Sequence, residues 1–328
     1  MSVLILAVSD DAHAHAVSKH LESMGADFHT LSLEDIGKNV YLDIRFDQDG
    51  DRAVVGASEQ KLLDLSKVES IWFRRPGTLR YSGLPEQWMN KLVESELQMG
   101  LVGLFRSRDC LFVNHPAKDT ECSFKLVQLD RARKVGLKIP KTLVTSKPDM
   151  VREFYSECNG QVVYKLISEV SNLRLPKFEP SPGIPTLPMT DEDLPHLDQV
   201  AGAPHLFQER INKQYDIRVT AVGKKLFPVK IDSQSGRGDL DWRIDYSVDM
   251  EMVELPAQIH QACLDLLKNF GLNYGAIDLC VDENGDYVFF EVNCAGQYLW
   301  MELRIPELDI SLELARLLVG ESEPMLPA

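Results

Sequence analysis

The chain opens on a continuous apolar run, Val3-Leu4-Ile5-Leu6-Ala7-Val8, which reads as a buried first strand. From about Ala12 to Met24 apolar positions recur at helical spacing, and strand-like runs follow at Phe28 to Leu33, Tyr41 to Phe46 and Val68 to Phe73. Strand and helix in alternation predict an open α/β layer. A long helical pattern from Pro85 to Phe105 carries Trp88, Leu92, Leu97, Leu101, Leu104 and Phe105 and predicts a core-facing helix. Leu111 to Asn114, just before His115-Pro116, reads as a strand leaving this layer.

Thr120 to Val135 is predicted as one helix stopped by Gly136, followed by Pro140 and a strand from Thr142 to Thr145. Ser146 is placed to cap a helix from Pro148 to Cys158, and Asn159-Gly160 turns the chain into a strand from Gln161 to Ile167. Between Ser168 and Pro204 the sequence becomes rich in Pro, Glu, Asp and Ser, a composition from which no compact core is expected. Two readings stand for it: a lid with a docking hairpin, or a surface loop. Beyond Leu206 come strands at Ile217 to Val222, Leu226 to Ile231, Ala276 to Val281 and Tyr287 to Val292, with a helix from Pro256 to Phe270. Glu283-Asn284-Gly285-Asp286 is a turn signal joining the last two strands.

Composition narrows the function classes. With 328 residues, 44% of them hydrophobic, the chain can bury a large core or two to three smaller ones. A formal charge of −15 argues against a general nucleic-acid binder, which needs a basic surface. An acidic substrate would therefore need a local basic pocket, for which Arg74, Arg75, Arg80, Lys213, Arg218, Arg237 and Arg243 are the candidates. No apolar run approaches the roughly 20 residues that span a bilayer, and the opening run lacks the cationic start of a signal peptide. The six cysteines show no CxxC pair and no accompanying His cluster, so reduced thiols in a cytoplasm are expected.

Three features carry candidate chemistry. If the strands on either side of the turn pair as a hairpin, Asp278 and Glu291 share a face and Asn293 lies two residues further along it. Acids inside runs this apolar are costly unless paired or bound to a cation, and Mg2+ prefers such oxygen ligands. Lys125 on a helix and Lys165 inside a strand would aim at something anionic. Phe207-Gln208-Glu209-Arg210-Ile211, then Asp216-Ile217-Arg218 and Val229-Lys230-Ile231, supplies an extended segment able to read a base edge, with an acid and cations nearby.

The order of these parts resembles the ATP-grasp ligases over residues 115 to 318. That resemblance implies an α/β fold with an N-terminal open α/β domain (1–115), a small central domain with a lid or leader-docking segment (116–205) and a C-terminal antiparallel-sheet domain (206–328). It implies that Lys125, Lys165 and Lys230 contact phosphates and that Gln208, Glu209, Arg210 and Ile211 border adenine. Asp216 would hold ribose, Asp278, Glu291 and Asn293 would hold Mg2+, and Arg218 and Arg243 would steady the phosphate or acyl phosphate. The cofactors implied are ATP and Mg2+.

Further segments are similar to one subgroup, the macrocyclases of microviridin and wider graspetide biosynthesis. They are Ser70-Ile71-Trp72-Phe73-Arg74-Arg75, Gln128-Leu129 with Ala132, Lys138 to Leu143, Asp241-Trp242-Arg243, Phe270 to Asp278, and Gly296-Gln297-Tyr298-Leu299-Trp300-Met301-Glu302-Leu303. This implies activation of Asp or Glu side chains in a ribosomal precursor peptide and closure onto Thr or Ser hydroxyls, with esters favoured, or onto Lys. It also implies substrate contacts from Arg74, Arg75, Arg243 and Glu302, a leader docked near Ser168 to Pro204, and a homodimer. Cys294 follows Asn293 where relatives often carry Pro, and Gln297 follows Gly296 where they often carry Glu; the metal triad is intact. Alternatives are a ligase of the ribosomal-protein glutamate, glutathione synthetase or D-alanine type, and a nucleotide- or peptide-binding module without catalysis. Ile244-Asp245-Tyr246-Ser247 after Arg243 departs from the Ser-Asn, Gly-rich segment of the glutamate ligases.

Overall fold

The computed structural model describes residues 2–37, 40–48, 50–57, 63–168 and 186–326. The N-terminal strands β1 (Ser2–Ala7), β2 (Asp27–Leu31), β6 (Val68–Arg75) and β7 (Leu111–Val113) form a sheet of order β2-β1-β6-β7 with parallel pairing throughout. Helix α1 (Ala12–Ser23) starts where Asp11 accepts the amide hydrogen of Ala14, and buries Ala14, Val17 and Leu21 against the layer. Strands β3 (Val40–Asp47), β4 (Gly50–Ala57) and β5 (Leu63–Asp64) make a separate antiparallel sheet.

Helix α2 (Gln87–Arg106) corrects one expectation. Leu101, Leu104 and Phe105 are buried, but Trp88 and Leu92 are 61% and 54% exposed, so only the C-terminal end of this helix faces the core. The single helix expected from Thr120 to Val135 is two, α3 (Pro116–Cys122) and α4 (Lys125–Lys134). The break makes Lys125 the first residue of α4.

The central sheet has order β10-β9-β11-β8, from β8 (Thr142–Thr145), β9 (Val162–Lys165), β10 (Leu187–Pro188) and β11 (His205–Glu209), with α5 (Pro148–Glu157) packed on it. Thr145 rather than Ser146 supplies the hydroxyl before α5, accepting from the amide of Lys147. Of the Pro-rich stretch, residues 169–185 lie outside the described residues. The remainder does contribute to a core: Met189, Leu197 and Val200 pack with Val151 and Phe154 of α5.

The C-terminal sheet has order β14-β13-β12-β15-β16, built from β12 (Lys213–Val222), β13 (Lys225–Ile231), β14 (Met250–Met252), β15 (Tyr274–Asp282) and β16 (Tyr287–Asn293), all antiparallel. Alternation assigns its two faces. Ile217, Val219 and Ala221 with Ile277, Leu279 and Val281 pack against α6 (Ala257–Phe270), whose Cys263, Leu266, Leu267 and Phe270 complete that core. Asp216, Arg218 and Asp278 therefore point to the opposite face, away from α6. Helices α7 (Leu299–Glu302) and α8 (Ile310–Leu318) close the chain against β1, α1 and β12.

Asn114 joins the N-terminal layer to the C-terminal sheet. Its Oδ1 accepts from the amides of Asn273 and Tyr274 at 2.8 and 2.9 Å, and its Nδ2 donates to the carbonyl of Tyr274 at 2.8 Å.

Candidate active site

The hairpin β15–β16 pairs Asp278 directly with Glu291 and Ala276 with Asn293, as the expected hairpin requires. The register shifts between Asp278 and Leu279, so Phe290 is an extra residue in β16, a bulge beside the acid pair. Gln128 of α4 fixes this strand edge. Its Oε1 accepts from the amide of Val292 at 3.0 Å and its Nε2 donates to the Val292 carbonyl at 2.9 Å.

Both acids meet protein cations. Arg218 donates to Asp278 Oδ2 at 2.8 Å, Lys125 Nζ to Glu291 Oε2 at 3.0 Å, and Arg243 stands 3.9 Å from Glu291 Oε1. Arg243 is itself gripped by Asp241, Nε to Oδ1 at 2.8 Å and a terminal nitrogen to Oδ2 at 2.6 Å, a bidentate pair that sets its plane. Burial works to raise the pKa of Glu291, yet Lys125, Arg243 and Lys165 together hold it down at about 2. Burial raises the pKa of Asp278, with Arg218 opposing. Lys165, on β9, lies with its ammonium 4.8 Å from the Phe290 ring centroid, and burial pushes its pKa down to about 8 although Glu291 pulls it up. Gly296 has to be glycine here, because a Cβ would lie 2.5 Å from an Arg218 nitrogen and 2.3 Å from Ala276 Cβ.

Among the described residues no three His, Cys, Asp or Glu side chains gather as a metal cluster. The acid pair with the Asn293 amide nevertheless fits Mg2+, which takes one or two carboxylates and completes its shell with phosphate oxygens and water. Asp278 Oδ1 is buried and has no hydrogen-bond partner among the described residues, an orphaned acceptor of the kind a cation satisfies.

Lys125, Arg218, Arg243, Asp278 and Glu291 thus converge, with Lys165 facing them across Phe290. Gln208 and Glu209 lie on β11 beside β9; Gln208 donates to Thr142 and the amide of Arg210 bonds the Gln161 carbonyl. Ile211 follows in the connector to β12, and the Arg210 side chain pairs with Asp239 at 3.4 Å. Asn293 ends β16, exposed, with its Oδ1 accepting from the amide of Ala295. Arg75 is exposed and donates to the Gln297 amide oxygen at 3.0 Å.

Four of the expected residues have protein partners of their own. Lys230 pairs in register with Ile217, so it projects from the α6 face and binds Glu251 at 2.8 Å, away from the acids. Asp216 is on the site's face, only 2% exposed and ion-paired with Lys213 at 2.7 Å. Arg74 is 3% exposed, 3.4 Å from Asp11, and donates to the carbonyls of Ala295 and Gly296, supporting the loop after Asn293. Glu302 accepts from the amide and hydroxyl of Ser311 at the start of α8, a capping role. Asp241 and Phe290 were not among the expected site residues, since their roles depend on loop folding and a strand bulge that leave no spacing signal.

Residues 2–120 match the family described as the MvdD pre-ATP grasp domain. No curated protein matches the chain. Among solved structures, macrocyclase MdnC of Microcystis aeruginosa, crystallised with the precursor peptide MdnA, is similar at 30% identity and TM-score 0.84, over 98% of this chain and 100% of its own. Macrocyclase MdnB of the same organism is similar at 30% identity and TM-score 0.80, over 97% of this chain and 99% of its own. A Chryseobacterium gregarium RiPP-associated ATP-grasp ligase, solved with ADP and with a leader and core peptide, reaches TM-score 0.88 at 25% identity, over 99% of this chain and 98% of its own. With the acid pair, its cations and this likeness along nearly the whole length, the chain has the ATP-grasp fold and belongs to the ATP-grasp peptide macrocyclase family.

Proposed function

We propose that this protein is an ATP-dependent ligase that activates Asp or Glu side chains of a ribosomally made precursor peptide and closes them onto Thr or Ser hydroxyls, or onto Lys. The observation that carries the reading is the Asp278–Glu291 pair ringed by Lys125, Arg218 and Arg243. Its support is the likeness to MdnC, whose structure holds a precursor peptide, and to a ligase solved with ADP and a leader and core peptide. The division 1–115, 116–205 and 206–328 belongs to the same reading, with nucleotide between the second and third units.

In this reading Asp278, Glu291 and Asn293 hold Mg2+, which would neutralise charge on the nucleotide phosphates. Lys125 and Lys165 bind those phosphates, Gln208 to Ile211 border the base, and Arg75 contacts the peptide. The peptide carboxylate attacks the γ-phosphorus of ATP, and ADP departs. Arg218 and Arg243, whose planar forks suit oxyanions, steady the acyl phosphate. A hydroxyl or amine of the same peptide then attacks the acyl carbon, phosphate leaves, and the nucleophile's proton passes to solvent.

The test is incubation with Mg-ATP and a candidate precursor peptide, short, acidic and Thr-rich, read by mass spectrometry with parallel counting of ADP. One water mass lost per ADP formed supports the reading. Added free glutamate appearing on the peptide would replace it with an amino-acid ligase, and peptide binding without ATP cleavage would replace it with a binding module.

A further inference from the structure

Beside Arg218 lies an aromatic group that the chemistry above leaves unused. Trp242 and Trp300 stack with ring centroids 4.8 Å apart, and Tyr246 meets Trp300 edge-on at 5.2 Å. The Arg218 guanidinium sits 5.8 Å from the Trp242 ring. Trp300 Nε1 and an Arg218 terminal nitrogen both donate to the carbonyl of Gln297, at 3.2 and 3.4 Å, so the aromatic group and the arginine are held by one backbone atom.

Its outer side is apolar and open. Tyr246 is 44% exposed, Ile244 48% and Leu303 82%. The segment is nevertheless fixed: Arg304 donates to the carbonyls of Tyr246 and Val248, tying the stretch after Arg243 to the end of α7. A rigid, solvent-facing apolar surface continuous with a cationic centre is built to receive a ligand with the same sequence of properties.

We propose that Tyr246, Trp300 and Leu303 form a ledge that receives an aromatic or aliphatic side chain adjacent in sequence to the reacting acid of the peptide. The acid lies against Arg218 and Arg243, and its apolar neighbour rests on the rings, so the ledge selects which carboxylate of a many-acid peptide is activated. A peptide acid flanked only by polar residues gains the cations but not the ledge. This inference rests on the peptide-cyclisation reading and specifies its substrate.

The experiment uses full-length enzyme and the precursor peptide that loses water in the assay above. Tyr246→Ala and Leu303→Asp are expected to raise KM for the peptide about tenfold each while kcat and the affinity for Mg-ADP stay within about twofold. Tyr246→Phe, which keeps the ring, is expected to restore KM. Replacing the apolar neighbour of the first acid to react by Ser should raise KM on the wild-type enzyme by a similar factor and have little further effect on Tyr246→Ala. Unchanged KM in both ledge variants, or an equal penalty for the Ser peptide on wild type and variant, would overturn the ledge while leaving cyclisation standing. Wild-type enzyme that binds Mg-ADP but removes no water would instead overturn the underlying reading and the ledge with it.

Discussion

Glu291→Gln separates the electrostatic account of the site from its chemistry. The carboxylate receives Lys125 at 3.0 Å and faces Arg243 at 3.9 Å, and the cations around it hold its pKa at about 2 against an ordinary 4.5. At about 1.4 kcal/mol per unit, that depression corresponds to about 3 kcal/mol of folded-state stability above pH 4.5. The side chain retains 29% of its exposure, so solvent screening lowers the expected loss to about 2 kcal/mol. Because the folded pKa is the lower one, the stabilisation is fully present above pH 4.5 and disappears as pH falls toward 2. Wild type and Glu291→Gln should therefore differ at pH 7 and converge in acid. Urea unfolding followed by tryptophan emission at pH 7 and at successively lower pH measures this. Equal midpoints at pH 7, or a gap that persists unchanged into strong acid, would refute the ion-pair reading. The same variant should fail to turn over ATP, since a metal ligand is gone.

Other outcomes follow from the same geometry. Affinity for Mg-ADP should fall as pH rises through about 8, where Lys165 loses its proton, and calorimetry on Lys165→Met should give a flat profile over that range. His13 Nε2 accepts from the amides of Tyr298 and Leu299, and burial, with Arg74 and Arg75 adding to it against Asp11, pushes its pKa down to about 3. Its contribution is whole above the unfolded value of 6.5 and is lost as pH falls toward 3, so wild type should lose more urea stability between pH 6.5 and 4.5 than His13→Gln, which retains only the smaller share of His115, lowered by its own burial. Lys230→Ala should leave Mg-ADP affinity within about twofold, because that lysine belongs to the far face of the sheet.

The acid pair was legible because Asp278 and Glu291 interrupt strongly apolar runs on either side of an Asn-Gly turn, and a hairpin with that turn brings them together. The face that Lys230 takes was not legible in the same way. Its strand was readable, but its phase relative to Arg218 depends on the β12–β13 register, which pairs it with Ile217. Arg74 and Glu302 looked like substrate contacts as charged residues in a shared pattern; their partners, the 295–296 carbonyls and Ser311, come from other segments and only folding supplies them. The apolar period of α2 fixed its helical state but not how much of it the layer covers. The Phe290 bulge is one residue of register and has no signature in composition.

The central claim is that the peptide's own carboxylate is phosphorylated and then loses that phosphate to an internal nucleophile. Precursor peptide carrying a heavy oxygen isotope in its Asp and Glu side chains, cyclised with Mg-ATP, tests it through mass analysis of the released inorganic phosphate. The account predicts one heavy oxygen in phosphate per ring closed. Phosphate free of the label, with rings still formed, would contradict it.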